Sequence, residues 1–228
     1  MEILDRIPLE MPFDEVIDRL KLGKKWPSLR TMVEEVLEQI IRLAKPKALF
    51  KVSYIGGRDD NKIEIDGIGF ESGILVGNLE NSERVFPYIV TAGRELEEID
   101  TPKSDMMRVF LTDAMKEIVL EKADGFFESY LVEKYALGMM SHMNPGSLND
   151  WPVSQQKLLF GLFGDVEDLI GVRLTQSYLM DPIKTVSGIY FPTEIRFESC
   201  MLCTRGPCPK RKSPYNPEMA KRYKGSSG

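Results

Sequence analysis

The chain has 228 residues, 43% of them apolar, which suffices for one large domain or two small ones with a real core and excludes wholesale disorder. Its net charge of −5 gives the molecule as a whole no electrostatic reason to seek nucleic acid, although residues 205–224 are basic. The longest apolar stretches, residues 74–76 and 85–90, are far too short to cross a membrane, and residues 1–10 lack the basic start and apolar middle of a signal peptide, so a cytoplasmic location without a membrane partner is expected.

Helical spacing begins at residues 13–20 and recurs at 31–44, where Met32, Val33, Val36, Leu37, Ile40 and Ile41 share one face before Lys45 and Pro46 stop the helix. Residues 48–55 read as one strand, and the turn formers from Gly56 to Asn61 predict a hairpin into Ile63, Ile65 and Ile68. Short β-like runs follow at 74–76 and 85–91, with Gly93 placed to open the next helix. From 104 to 135, Met107, Leu111, Ala114, Met115, Ile118, Phe126, Tyr130 and Leu131 recur in steps of three and four, as one long central helix or two abutting ones. Residues 138–152 break the period with Asn144-Pro145-Gly146-Ser147 and read as a long irregular loop of the kind that binds ligands. Helices at 154–163 and 166–169 and β-like runs at 172–175 and 186–191 complete the order, the last two read as a hairpin. Helices and strands are grouped without strict alternation, so the predicted class is α+β, a twisted, mainly antiparallel sheet with flanking helices.

All three cysteines, Cys200, Cys203 and Cys208, fall in one short stretch near the C-terminus. In a reducing compartment such clustering favours a metal or redox site over a disulfide framework. Two thiolates two residues apart can grip one metal across a turn, and the third can close on the same ion or on an iron–sulfur cluster. Three protein ligands leave a fourth position for water, a substrate, a partner's side chain or His142, the only histidine. A redox thiol pair and unliganded loop cysteines are the other two readings. Arg205, Lys210, Arg211 and Lys212 lie beside the thiols, where positive charge favours the thiolate.

The loop around Asn144-Pro145-Gly146, the helix after it, Leu174-Thr175-Gln176-Ser177, and the run Met180-x-Pro182-x-Lys184-x-Val186-Ser187-Gly188-x-Tyr190-Phe191 together resemble the reactivation domain of cobalamin-dependent methionine synthase. That family reads R-x-x-P-G-Y, a helix, L-T-E-S, M-x-P and S-V-S-G-x-Y-F in the same order and spacing, and fainter similarity runs upstream through Thr91-Ala92-Gly93 and residues 113–130. The resemblance implies an activation-domain-like fold over residues 1–198, followed by a cysteine-containing basic tail at 199–228. It also implies a helper role: reductive reactivation of a corrinoid protein or cobalamin-dependent methyltransferase, with S-adenosylmethionine as methyl donor and a flavodoxin- or ferredoxin-like electron donor.

On the family's pattern the cofactor-binding residues are Asp124 or, one turn on, Glu128 for the donor's amino group, His142 at the arginine that holds the donor's carboxylate, Asn144, Pro145 and Gly146, Ser147 at the loop tyrosine, and Tyr190. The tail resembles those of some stand-alone relatives, with Cys200, Cys203 and Cys208 as the expected ligands of a metal ion or iron–sulfur cluster. Two competing readings are a thiolate-metal or iron–sulfur enzyme that itself transfers methyl groups or electrons, and a zinc-stabilised interaction domain.

Overall fold

The computed structural model of the chain describes residues 1–23, 26–208 and 211–224; Lys210 and residues 225–228, parts of the tail read above over 199–228, lie outside the described residues. After a short strand β1 (Glu2–Leu4), helix α1 (Phe13–Leu20) forms where the apolar periodicity places it, ending where Lys21 turns left-handed, and α2 (Trp26–Leu43) begins five residues ahead of the predicted start at residue 31. Val33, Val36, Leu37 and Ile40 are buried on the inner face of α2. The stretch read as one strand is two, β2 (Lys47–Phe50) and β3 (Ser53–Arg58), which lie in succession along the same neighbouring strand and are separated by a bend at Lys51 and Val52. The predicted hairpin joins β3 to β4 (Lys62–Ile65), and β5 (Ile68–Glu71) extends the meander.

Residues 74–76 are not β but the middle of helix α3 (Gly73–Asn78), a correction with a visible cause. Ser72 caps the helix by accepting from Leu75 N at 2.9 Å, and the carboxylate of Asp150, remote in sequence, accepts from Ile74 N at 3.0 Å. Two acceptors aimed at the free N–H groups of the first turn favour helix over strand.

Strand β6 (Arg84–Thr91) is the axis of the sheet, followed by the single long helix α4 (Met106–Lys134), capped by Asp105. Side chains alternate along β6: Val85 and Ile89 join one core with α3 and Trp151, whereas Phe86, Tyr88 and Val90 face the C-terminal half of α4 through Ala123, Phe127 and Leu131. A third core joins α1 and α2 to the first half of α4.

The loop predicted over residues 138–152 is in part a strand, β7 (Met140–Met143). Its partner is β10 (Thr185–Pro192), which lies between β6 and β7, with Tyr190 opposite His142. Helices α5 (Gln156–Gly161) and α6 (Val166–Ile170) follow, then the two-residue strands β8 (Arg173–Leu174) and β9 (Met180–Asp181). These two pair with each other, so the hairpin read between residues 172–175 and 186–191 does not exist; β10 instead joins the main sheet. The large sheet is antiparallel throughout, as the grouping of elements predicts. Beyond β10 the chain returns along β7, with Thr193 N bonded to Met139 O and Phe197 N to Ser141 Oγ, and ends in helix α7 (Pro217–Lys224). Leu202, Met219 and Tyr223 pack on the same core as Trp151. Among the described residues no helix is long and apolar enough to cross a membrane.

Candidate functional site

The register of β10 creates the site. Tyr190 must be followed across the ladder by His142 and across the other by Phe86, and the pleat sends Tyr190 and His142 to the α4 side, their rings 5.0 Å apart and edge to face. Tyr88, two residue pairs along the ladder and so on the same face, stacks tilted on Tyr190 at 4.6 Å. Asn144 leaves the end of β7 on the same face and donates from Nδ2 to Tyr88 Oη at 3.0 Å and to Ser187 O at 2.7 Å. This close return depends on Gly188: any Cβ there would strike the Met143 carbonyl and lie 2.6 Å from Asn144 Nδ2.

Helix α4 lays Asp124 and Glu128, one turn apart, over this ring cluster. Tyr190 Oη donates to Asp124 Oδ1 over a long 3.4 Å. Asp124 keeps some exposure, yet desolvation raises its pKa to about 6, with Glu128 adding to the rise and Lys212 and the Tyr190 hydroxyl opposing it. Burial chiefly, then the positive charges of Lys212 and Arg196, drive His142 down to about 4, against the pull of Glu198. His142 is therefore neutral near pH 7, and burial likewise raises Tyr88 and Tyr190 far above ordinary phenols. Glu128 meets Arg196 at 3.7 Å, and Arg196 also reaches Glu198 at 3.2 Å. The arrangement sets two carboxylates over an aromatic floor. It can orient a polar ligand and counter a positive charge on it.

Five of the predicted cofactor-binding residues thus converge: Asp124, Glu128, His142, Asn144 and Tyr190. Pro145 is buried behind them, and Gly146 turns the chain at φ 85° with its N–H bonded to Trp151 O at 2.7 Å. Ser147 does not join the cluster. It lines a separate cleft of about 560 Å³ with Ile74, Leu148, Leu202, Cys203 and Tyr223. Lys184 is held on α4 by Asp113 at 2.9 Å and Glu117 at 3.0 Å, and is structural.

The cysteine loop is tied by one side chain. The Arg211 guanidinium donates to the carbonyls of Cys200 (3.0 Å), Cys203 (3.3 Å), Arg205 (2.6 Å) and Ser213 (3.4 Å), and Lys212 N–H points at Cys200 Sγ over 3.5 Å. The three thiols are free, and no three His, Cys, Asp or Glu side chains gather as a metal-holding group among the described residues. His142 lies on the α4 face beside Tyr190, within none of the thiols' hydrogen bonds.

Sequence reasoning missed Tyr88, whose alternation on β6 was a usable signal, and the reach of Arg196 to Glu128, for which no local signal exists.

Fold and cluster together define a class: an antiparallel α+β domain whose long helix places carboxylates over an aromatic floor beside a proline–glycine bend. No protein-family model and no curated protein matches the chain. Among solved structures it is similar to the crystal structure of the MetH reactivation domain bound to AdoHcy, with a TM-score of 0.54 and 15% identity over 84% of this chain and 73% of that one. The shared property at that identity is the fold.

Proposed function

We propose that the chain is an accessory protein for reductive reactivation of a corrinoid-dependent methyltransferase, binding S-adenosylmethionine at the Asp124, Glu128, His142, Asn144 and Tyr190 cluster while it caps the partner's corrinoid. The observation that carries this reading is the convergence of those residues on one face of a fold shared with a reactivation domain that binds AdoHcy. Capture of the donor's positive charge falls to Asp124 and Glu128, and the tyrosine floor supports the rest of the molecule. S-adenosylmethionine held there would supply the methyl group, and a flavodoxin- or ferredoxin-like protein the electron, for reductive methylation of the partner's corrinoid. The chain's residues supply binding and orientation, since the cobalt chemistry belongs to the corrinoid. On this reading residues 1–198 are the activation-domain-like body, 199–228 the tail, and the setting cytoplasmic.

The test is anaerobic methylation of a Co(II) corrinoid protein by S-adenosylmethionine and a low-potential reductant, followed by the visible spectrum. Added protein should accelerate methylcorrinoid formation and Asp124→Asn should lower the rate at subsaturating donor. No acceleration with any corrinoid partner, together with no calorimetric binding of AdoHcy, overturns the proposal.

A second reading assigns electron delivery to a metal or iron–sulfur centre on Cys200, Cys203 and Cys208. It is favoured by the Lys212 N–H directed at Cys200 Sγ, because hydrogen bonds to sulfur stabilise thiolates and tune cluster potentials. Anaerobic metal analysis and a visible spectrum decide it: a colourless, metal-free protein that resists reconstitution removes it.

A further inference from the structure

The cleft of about 560 Å³ that Ser147 lines lies where the tail meets the body, with Ile74 and Leu148 of the body and Leu202 and Tyr223 of the tail as apolar walls. The tail is seated closely there. Tyr223 packs edge to face on Phe197 at 6.2 Å, and a Cβ on Gly77 would come within 2.9 Å of the Tyr223 ring. A space of this size accepts a small organic molecule. Of the three cysteines, Cys203 alone lines it.

The backbone sets a second thiol beside Cys203. Ser199–Met201 form a 3-10 turn, which continues through Leu202 N to Ser199 O at 3.2 Å and Cys203 N to Cys200 O at 3.3 Å. Such bonding eclipses side chains three residues apart, so Cys200 and Cys203 share one side of the turn. It also keeps their Cα atoms within about 7 Å, the limit for a disulfide. The turn is fastened before any such bond forms, since the Arg211 guanidinium holds the carbonyls of both cysteines and Lys212 N–H points at Cys200 Sγ. Cys208 belongs to neither the turn nor the cleft wall.

Charge on the wall discriminates between ligands. Asp150, the only carboxylate among the described lining residues, is already engaged by Ser72 Oγ and Ile74 N. The Arg205 side chain, on the same wall, makes no ion pair among the described residues. The cleft therefore favours an anionic molecule.

We infer that Cys203 is a thiol-exchange site for low-molecular-weight disulfides that carry carboxylates, with Cys200 as the thiol that resolves the mixed disulfide. The Cys203 sulfur attacks one sulfur of R–S–S–R; a Cys203–S–S–R bond forms as the original S–S bond breaks, and the first RSH leaves with the Cys203 proton. The Cys200 sulfur then attacks Cys203; the Cys200–Cys203 disulfide forms, and the second RSH leaves with the Cys200 proton. Two protein thiols are oxidised and one small disulfide is reduced. The inference is independent of the methyl-donor reading, and it takes the place of a metal on the same two sulfurs.

The full chain, prepared anaerobically and reduced, is mixed with glutathione disulfide, and the products are followed by mass spectrometry with peptide mapping beside metal analysis. The wild type should lose two hydrogens and carry a Cys200–Cys203 disulfide. Cys200→Ser should stop at a glutathione adduct on Cys203, Cys203→Ser should slow the reaction several-fold, and Cys208→Ser should behave as wild type. Arg205→Ala should slow glutathione disulfide about 3-fold, the worth of an exposed charge pair, without slowing the cationic disulfide cystamine. A wild type that stops at the mixed disulfide, adducts that form first on Cys208, or thiols that are isolated with bound metal and do not react each overturn the inference.

Discussion

Asp124 and His142 both pack on Tyr190, and burial shifts their pKa values in opposite directions. The carboxyl of Asp124 rises from 3.8 to about 6 in the folded protein, so its ionisation opposes folding: the stability it confers is full below the unfolded pKa and is lost as pH rises through about 6. His142 falls from 6.5 to about 4, so its protonation opposes folding, and stability is lost as pH drops from about 6.5 towards 4. Integrating each shift at about 1.4 kcal/mol per unit and allowing for partial exposure, Asp124→Asn should be about 2 kcal/mol more stabilising at about pH 7.5 than at about pH 4.5. His142→Gln should show the reverse, about 2 kcal/mol more stabilising near pH 4.5 than near pH 7.5. In the wild type the two slopes largely cancel across this window. Urea unfolding at the two pH values, with the difference between variant and wild type taken at each, isolates these groups from every other titrating residue. If the two variants share the same pH slope, or neither differs from wild type, the residues are solvated and the reading of a desolvated cluster is refuted.

Gly188→Ala should destabilise by about 3 kcal/mol, the upper end for overpacking, because the new methyl falls on the Met143 carbonyl and Asn144 Nδ2 and β7 must part from β10; a melting temperature within a degree or two of wild type would contradict the packing described. Asp150→Ala removes the acceptor from Ile74 N at 3.0 Å and should cost about 1–2 kcal/mol by denaturant titration, with hydrogen exchange rising first in α3. Arg211→Ala frees the carbonyls of Cys200, Cys203, Arg205 and Ser213, so alkylation of Cys200 should quicken several-fold while the melting temperature falls little; unchanged alkylation means that another contact holds the loop.

Wherever a residue's environment is set by near neighbours in sequence, the chain announces its structure. Helix α1 has the bounds that apolar spacing gives it, and α4 runs as a single helix close to the predicted limits because its period is long and unbroken. Residues 74–76 show the opposite case. Ile74 and Val76 are individually β-prone, and what makes the stretch helical is partly an Asp150 carboxylate that only the folded chain delivers. Likewise nothing in Met-Ser-His-Met signals a strand; β7 exists because Tyr190 and its neighbours offer a free edge. The site was legible to the extent that motif order placed Asn144, Gly188 and Tyr190, and illegible where partners approach across the sheet edge, as Arg196 does.

That edge explains why the tail matters to the site at all. β7 is the last strand on its side of the sheet, so its outer rim would present unpaired backbone groups. The chain covers the rim with its own C-terminal segment, through Thr193 N to Met139 O and Phe197 N to Ser141 Oγ. Having been laid along β7, the segment necessarily passes the ends of the side chains that β7 and β10 project towards α4, His142 and Tyr190 among them. Phe197 and Tyr223 then seat it on the opposite core, edge to face at 6.2 Å. A covering required by backbone chemistry thus brings Arg196 to Glu128 at 3.7 Å. Shortening the chain before Thr193 would therefore remove Arg196 and expose the strand edge together. Substitution of Arg196 alone removes one charge and leaves the covering in place, and only the point variant can separate recognition from stability.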